Sequence, residues 1–103
     1  MRTTILVSAG DCWPLHLAAT LATAGDPVTV VLLDRAADLA RPAHPSQRRI
    51  RSALQAGVEI MVDEAALRRR GIPPAATAEG IKPTDIGAIG DLLVDGTEKV
   101  VWL

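Results

Sequence analysis

The chain has 103 residues with eleven basic and twelve acidic side chains, a length typical of one domain and a net charge of −1 that provides no basic field for nucleic acid or an anionic membrane. Two tryptophans are the only aromatic residues, too few for the stacking platforms that single-stranded nucleic acid requires. One cysteine, no stretch approaching a membrane span and no signal-peptide pattern predict a single cytoplasmic domain over residues 1–103.

The first third of the chain predicts strand, helix and strand. Residues 3–8, TTILVS, are apolar and β-branched, as in a strand that is buried on both faces. Pro14 suits the first turn of a helix, and an apolar stripe at helical spacing continues until Gly25, a typical C-terminal stop. Residues 28–34 form a second apolar run. A polar, proline-bearing loop is predicted over residues 35–45.

The middle of the chain repeats this alternation. Ser46 is a predicted cap for an amphipathic helix that ends at Gly57, and residues 58–62 predict a third strand. Asp63 then suits the N-cap of a short helix. The arginines at 68–70 complement the carbonyl end of that helix, so its two ends carry most of its signal.

The last third of the chain is less regular. Residues 75–83 predict an irregular connection with a brief extended piece, Thr84 is the predicted cap of a final helix, and residues 99–103 predict a last strand. Alternating strands and helices favour parallel pairing through crossover connections. The sequence therefore predicts an α/β fold, a small three-layer parallel sheet of four to five strands with helices on both faces.

The candidate catalytic and binding residues cluster after the first strand. Cys12 is the only thiol, and the start of a helix supplies positive partial charge that stabilises a thiolate. Backbone N–H groups from Gly10 to Trp13 are suited to an anion or a persulfide. His16 lies at the i, i+4 spacing of a Cys–His pair. The charge of Asp11 opposes a thiolate and unpaired cysteines are often buried, so a structural role for Cys12 stays open.

Other side chains carry less specific signals. Two histidines and one cysteine far apart, without CxxC or HExxH spacing, predict no metal site, and no cofactor motif is present. The arginines at 48, 49 and 51 are typical of a solvated helix face. Trp13 is a candidate pocket wall or subunit contact beside Cys12, whereas Trp102 on the terminal strand is a candidate core residue.

Two stretches of the chain resemble the DsrE/DsrF/DsrH superfamily, which includes the TusB, TusC and TusD sulfur-relay subunits. The first is AGVEIMVDEAALRRRGI at residues 56–72, and the second runs from Ile81 to the closing KVVWL, similar to the end of TusB and DsrH proteins. The resemblance implies homo-oligomers or hetero-oligomers with other family members. It also implies that persulfide sulfur is passed along cysteines, with a sulfur-carrier protein as a possible partner.

The resemblance also places the family's catalytic cysteine just after the third strand, in members that resemble TusD and DsrE. The matching position here is Asp63, which cannot carry sulfur. A TusB/DsrH-like or divergent sulfur-relay component is therefore expected, acting as an assembly subunit or as a persulfide carrier through Cys12. Two alternatives stay open. One is a regulatory module that binds a small anion or ligand at Gly10, Asp11, Trp13 and Asp63, and the other is a purely structural oligomer subunit.

Overall fold

Five parallel strands form one sheet in the computed structural model, which describes residues 1–103. The strands are β1 (Thr3–Val7), β2 (Val28–Leu32), β3 (Glu59–Asp63), β4 (Ile81–Thr84) and β5 (Lys99–Trp102). The helices are α1 (Trp13–Thr23), α2 (Gln47–Gln55), α3 (Glu64–Arg69) and α4 (Ile86–Asp95), with 3₁₀ helices at Asp34–Ala40 and Pro74–Ala76. None of these helices combines the length and apolarity that crossing a membrane requires.

The sheet has the strand order β4-β3-β2-β1-β5. The chain adds strands on one side of β1 until β4, and α4 then returns it to the other side, where β5 pairs with β1. Ile5 at the centre of β1 is aligned with Val30 on β2 and with Val101 on β5. The direction of winding therefore reverses between β1 and β5. In open α/β sheets, ligands bind beyond the carboxyl ends of the strands at such a reversal.

The two faces of the sheet are covered unequally. On the first face, Ile5 and Val7 belong to a cluster of 21 buried residues that also includes side chains from α1, α2, α3 and the 3₁₀ helix 34–40. On the second face, the buried cluster has only three residues, Leu6, Val31 and Ile89, of which Ile89 comes from α4. Helices on both faces confirm the predicted three-layer fold class, but α4 alone forms the third layer.

Several local predictions differ from the structure. Residues 34–40 form a 3₁₀ helix rather than an irregular loop, because Ala36, Leu39 and their neighbours are buried and the backbone must satisfy its own hydrogen bonds. Asp85, not Thr84, caps α4, and its Oδ1 accepts from the Ala88 N–H at 2.8 Å. Ser46 precedes α2 without a capping side-chain bond.

Candidate functional site

The loop after β1, residues 8–13, lies where the winding of the sheet reverses, and we name it the switch-point loop. The C-terminus borders it directly: the Ser8 N–H donates to the Leu103 carbonyl at 3.0 Å, and the Trp102 Nε1–H donates to Ser8 Oγ at 2.8 Å. The prediction of Trp102 as core is wrong, since 71% of this residue is exposed. Its aligned neighbour on β1 is Leu6, on the sparsely covered second face.

Cys12 occupies the N-cap position of α1, as the helix signals around Pro14 predict. Its carbonyl accepts from the Leu15 N–H at 3.1 Å, and its side chain forms no capping hydrogen bond. The residue is half-buried and packs against the first-face core. The residue thus lies at the start of an eleven-residue helix, where the first backbone N–H groups have no partner within the helix. Its reactivity stays a prediction.

The other candidate residues near Cys12 in the sequence do not form a pocket around it. His16 makes no hydrogen bond to the thiol, and it lines a separate groove of about 130 Å³ with Arg49 of α2. Gly10, Asp11 and Trp13 are exposed. None of the four clefts on the protein surface is lined by residues 8–13. The loop is therefore an open rim in the single chain.

Asp63 lies at the carboxyl end of β3, two strands away from β1. With neighbouring strands about 4.8 Å apart, that places it roughly 10 Å along the sheet from the switch-point loop. Its Oδ1 accepts from the Ala65 N–H at 3.3 Å and caps α3, as predicted. It also lines a cleft of about 360 Å³ with Arg68 and Asp85. Asp63 and the switch-point loop thus border different parts of the sheet edge.

A charged cleft that the sequence analysis missed lies between the 3₁₀ helix 34–40 and α3. Its volume is about 490 Å³, and we name it the arginine cleft, lined by Asp34, Asp38, Arg41, Ala66, Arg69 and Arg70. Arg70 bonds to Asp38 at 3.0 Å. The arginines of α3 therefore do more than complement the helix end. No local pattern in the sequence joins Asp38 to Arg70, because the two residues are 32 positions apart.

A second feature that the sequence does not predict is a set of exposed apolar side chains on α4 and β5. Ile86 and Val94 on α4 are 73% and 80% exposed, and Val100 lies beside Trp102 on β5 with much of its surface free. We name these four residues the second-face patch. Large apolar surfaces on a soluble domain typically mark interaction sites.

A sequence model of the DsrE/DsrF-like family matches residues 3–102, nearly the whole chain. The chain belongs to this family. A search of the curated proteins finds no match. The family assignment confirms the resemblance that residues 56–72 and the closing KVVWL indicate.

Solved structures share the fold of this DsrE/DsrF-like domain. The ychN protein from E. coli has a TM-score of 0.84 at 14% identity, with both chains covered completely. The protein of unknown function MTH1491 from Methanobacterium thermoautotrophicum has a TM-score of 0.80 at 15% identity, covering 99% of this chain and 98% of its own. For BT1422 from Bacteroides thetaiotaomicron the values are 0.74 and 18%, with 99% and 94% covered. These identities support a shared fold alone.

Proposed function

We propose that this protein is a cytoplasmic sulfur-trafficking component of the DsrE/TusB type that carries persulfide sulfur on Cys12. The observation that supports the proposal is the position of the only thiol, half-buried at the start of α1 and next to the reversal point of the sheet. The resemblance to TusD-type members places their cysteine at Asp63, where this chain has a helix cap instead. Cys12 is therefore the one thiol of this chain that is available to carry a persulfide.

The proposed step is a transfer between thiols without net oxidation. The Cys12 thiolate attacks the outer sulfur of a donor persulfide, R–S–SH, and a new S–S bond forms at Cys12 Sγ. The donor S–S bond breaks and its electron pair leaves on R–S⁻, so Cys12 becomes Cys12–S–SH. The helix start and the backbone N–H groups of the switch-point loop stabilise the anionic forms before and after the transfer. An acceptor thiol reverses the step.

Intact mass spectrometry after exposure to a small-molecule persulfide tests this proposal. We expect the wild-type chain to gain the mass of one sulfur atom, Cys12→Ser to gain none, and the matched control Ser52→Ala to behave as wild type. Iodoacetamide should alkylate native Cys12 without denaturant. The persulfidated chain should instead be alkylated at its outer sulfur, which gives an adduct that is one sulfur atom heavier and that a reductant removes. A wild-type chain that gains no sulfur, with a Cys12 that is alkylated only after unfolding, would establish a structural cysteine instead.

A second candidate function is that of an assembly subunit, and the second-face patch supports it. DsrE-family proteins often form oligomers. A single helix, α4, covers this face of the five-stranded sheet and leaves Trp102 largely exposed, and Val94 on α4 is itself exposed. We propose that a second copy of this chain or another DsrE-like chain covers the patch. Burial of apolar side chains would then supply the association free energy.

Analytical ultracentrifugation tests the assembly role. We expect Val94→Glu to shift the chain toward monomer without lowering monomer stability by more than about 0.5 kcal/mol, since the residue is exposed. Gln55→Glu on α2 introduces the same charge change on the other side of the sheet and should leave the oligomer intact. If the wild type sediments as a monomer and no other DsrE-like chain associates with it, the assembly role is excluded.

A further inference from the structure

The arginine cleft combines three guanidinium groups with two carboxylates. Arg41, Arg69 and Arg70 line it together with Asp34 and Asp38, so its lining carries a formal charge of +1. The cleft lies between the segments that follow β2 and β3, close to the carboxyl edge of the sheet. It is separate from the switch-point loop, and no step proposed for Cys12 uses it.

Two of the arginines are held in place by the fold. Arg41 donates through Nε to Asp38 at 3.3 Å and through Nη2 to the Arg70 carbonyl at 3.0 Å. Arg70 donates through Nε to the Asp34 carbonyl at 3.2 Å and through Nη1 to Asp38 at 3.0 Å. Each guanidinium has five N–H donors, so these four bonds leave more than half of the donors on Arg41 and Arg70 free. Their fixed position lowers the entropy cost of binding.

The third arginine is free to close over a ligand. Arg69 is an exposed side chain, and its nearest charged partner is the Asp34 carboxylate at 3.8 Å, too long for a hydrogen bond. Asp34 has a φ of +47°, a left-handed conformation that directs its backbone carbonyl to Arg70 while its carboxylate stays largely exposed. All the donors of Arg69 and most of those of Arg41 and Arg70 therefore remain available at the same cleft.

We propose that the arginine cleft is a binding site for a tetrahedral oxyanion, specifically a phosphate group carried by a small polar molecule. Planar guanidinium groups match the oxygen spacing of phosphate, and three of them can contact different oxygens of one group. The volume of about 490 Å³ lies within the range of small-molecule sites, roughly 300–1,000 Å³, and leaves room for a polar substituent. Ala66 is the only apolar lining residue, which disfavours an apolar ligand.

Binding to this cleft can be measured by calorimetry and by ¹H–¹⁵N NMR titration with inorganic phosphate and glycerol 3-phosphate at low ionic strength, where screening is weak. Arg69→Gln removes one charge without breaking a hydrogen bond of the folded chain, and we expect it to weaken both ligands about tenfold. Asp34→Asn keeps a residue that tolerates positive φ and removes a repelling charge, so it should tighten binding about fivefold. Arg68→Gln is the matched control and should change affinity less than about twofold, because Arg68 pairs with Glu64 outside the cleft.

The pattern across these variants decides the proposal. Tighter binding of glycerol 3-phosphate than of phosphate assigns the site to a phosphorylated small molecule, and equal affinities assign it to the free ion. The site is overturned if neither probe binds, if Arg69→Gln and Arg68→Gln weaken binding equally, or if the NMR shifts lie outside residues 34–41 and 66–70. Persulfide transfer to Cys12 is measured separately, so either result leaves the proposed function to its own test.

Discussion

Apolar strand residues lie on both faces of the sheet, but far more of them are buried on the first face than on the second. Val101 and Trp102 are adjacent on β5, yet Val101 packs against the first-face core while Trp102 is largely exposed on the second face. Helices α1, α2 and α3 contribute to the first-face core, and α4 alone contributes to the second. The number of covering helices, and not the apolarity of the strand, therefore decides which strand residues are buried.

The sharpest test of this comparison removes the same side chain from each face. Ile60 on β3 is fully buried in the first face, and Ile89 on α4 is buried in the second. We expect Ile60→Ala to lower the free energy of unfolding by about 4 kcal/mol and Ile89→Ala by about 2 kcal/mol, since α4 can settle into the space and the first-face helices cannot. Urea unfolding at low protein concentration measures both values.

The same pair also reports on assembly. If the second face is covered by another chain, the cost of Ile89→Ala should grow with protein concentration, because association stabilises only the folded state. Ile60→Ala serves as the control, since its cavity lies on the opposite face. If both variants lose the same free energy of unfolding at all protein concentrations, the two faces do not differ in the way described.

A smaller effect is expected from the helix caps on the two faces. Asp85 caps α4 through a 2.8 Å bond to the Ala88 N–H, whereas Asp63 caps α3 through a 3.3 Å bond to the Ala65 N–H. Asp85→Ala should lower the free energy of unfolding by about 1 kcal/mol, and Asp63→Ala by less, because a longer bond is weaker. Thermal or urea unfolding measures both values. Asp91→Ala is the control, because it removes an exposed carboxylate of α4 that is not the helix cap. A larger loss at Asp63 would indicate a role beyond capping.

The smallest effect concerns the start of β5. The backbone N–H of Arg2 donates to Glu98, and with the nearby N-terminus and Arg2 charges this holds the pKa of the Glu98 carboxyl below its ordinary value. A lowered folded-state pKa contributes stability that is present above the unfolded-state pKa and lost as pH falls through the folded-state value. The stability difference between wild type and Glu98→Gln should therefore disappear in acid. NMR titration of Glu98 checks the direction, and a raised pKa would refute it.

Local signals in the sequence predict most helices and strands of both faces, but not how little of the second face is covered. Continuous apolar runs indicate β1 and β2, whose residues are nearly all buried. In β3, the buried Ile60 and Val62 alternate with more exposed neighbours. In β4, only Ile81 is buried. Because Lys82 and Pro83 follow it, the segment has no apolar periodicity from which a strand could be predicted. Trp102 was misplaced for a related reason. A large apolar side chain predicts burial, but no helix covers its position.

Of the candidate sites, only the one whose residues are neighbours in the sequence could be predicted. Cys12 at the start of α1 was predictable because Pro14 and the following apolar stripe are neighbours in sequence. The arginine cleft was not, because Arg70 meets Asp38 across 32 positions and no local pattern records that distance. The open rim around Cys12 was not predictable from the sequence either, because it depends on how β5 and Leu103 lie against the switch-point loop.

The bond between Trp102 and Ser8 has a practical consequence for spectroscopy. Both tryptophans of the chain, Trp13 and Trp102, lie at one end of the sheet and are exposed there. With no tyrosine in the sequence, the intrinsic ultraviolet emission arises from this single end of the molecule. The wavelength of maximal emission therefore reports on the surroundings of the switch-point loop. A blue shift would show that another molecule has bound there and shielded the tryptophans from water.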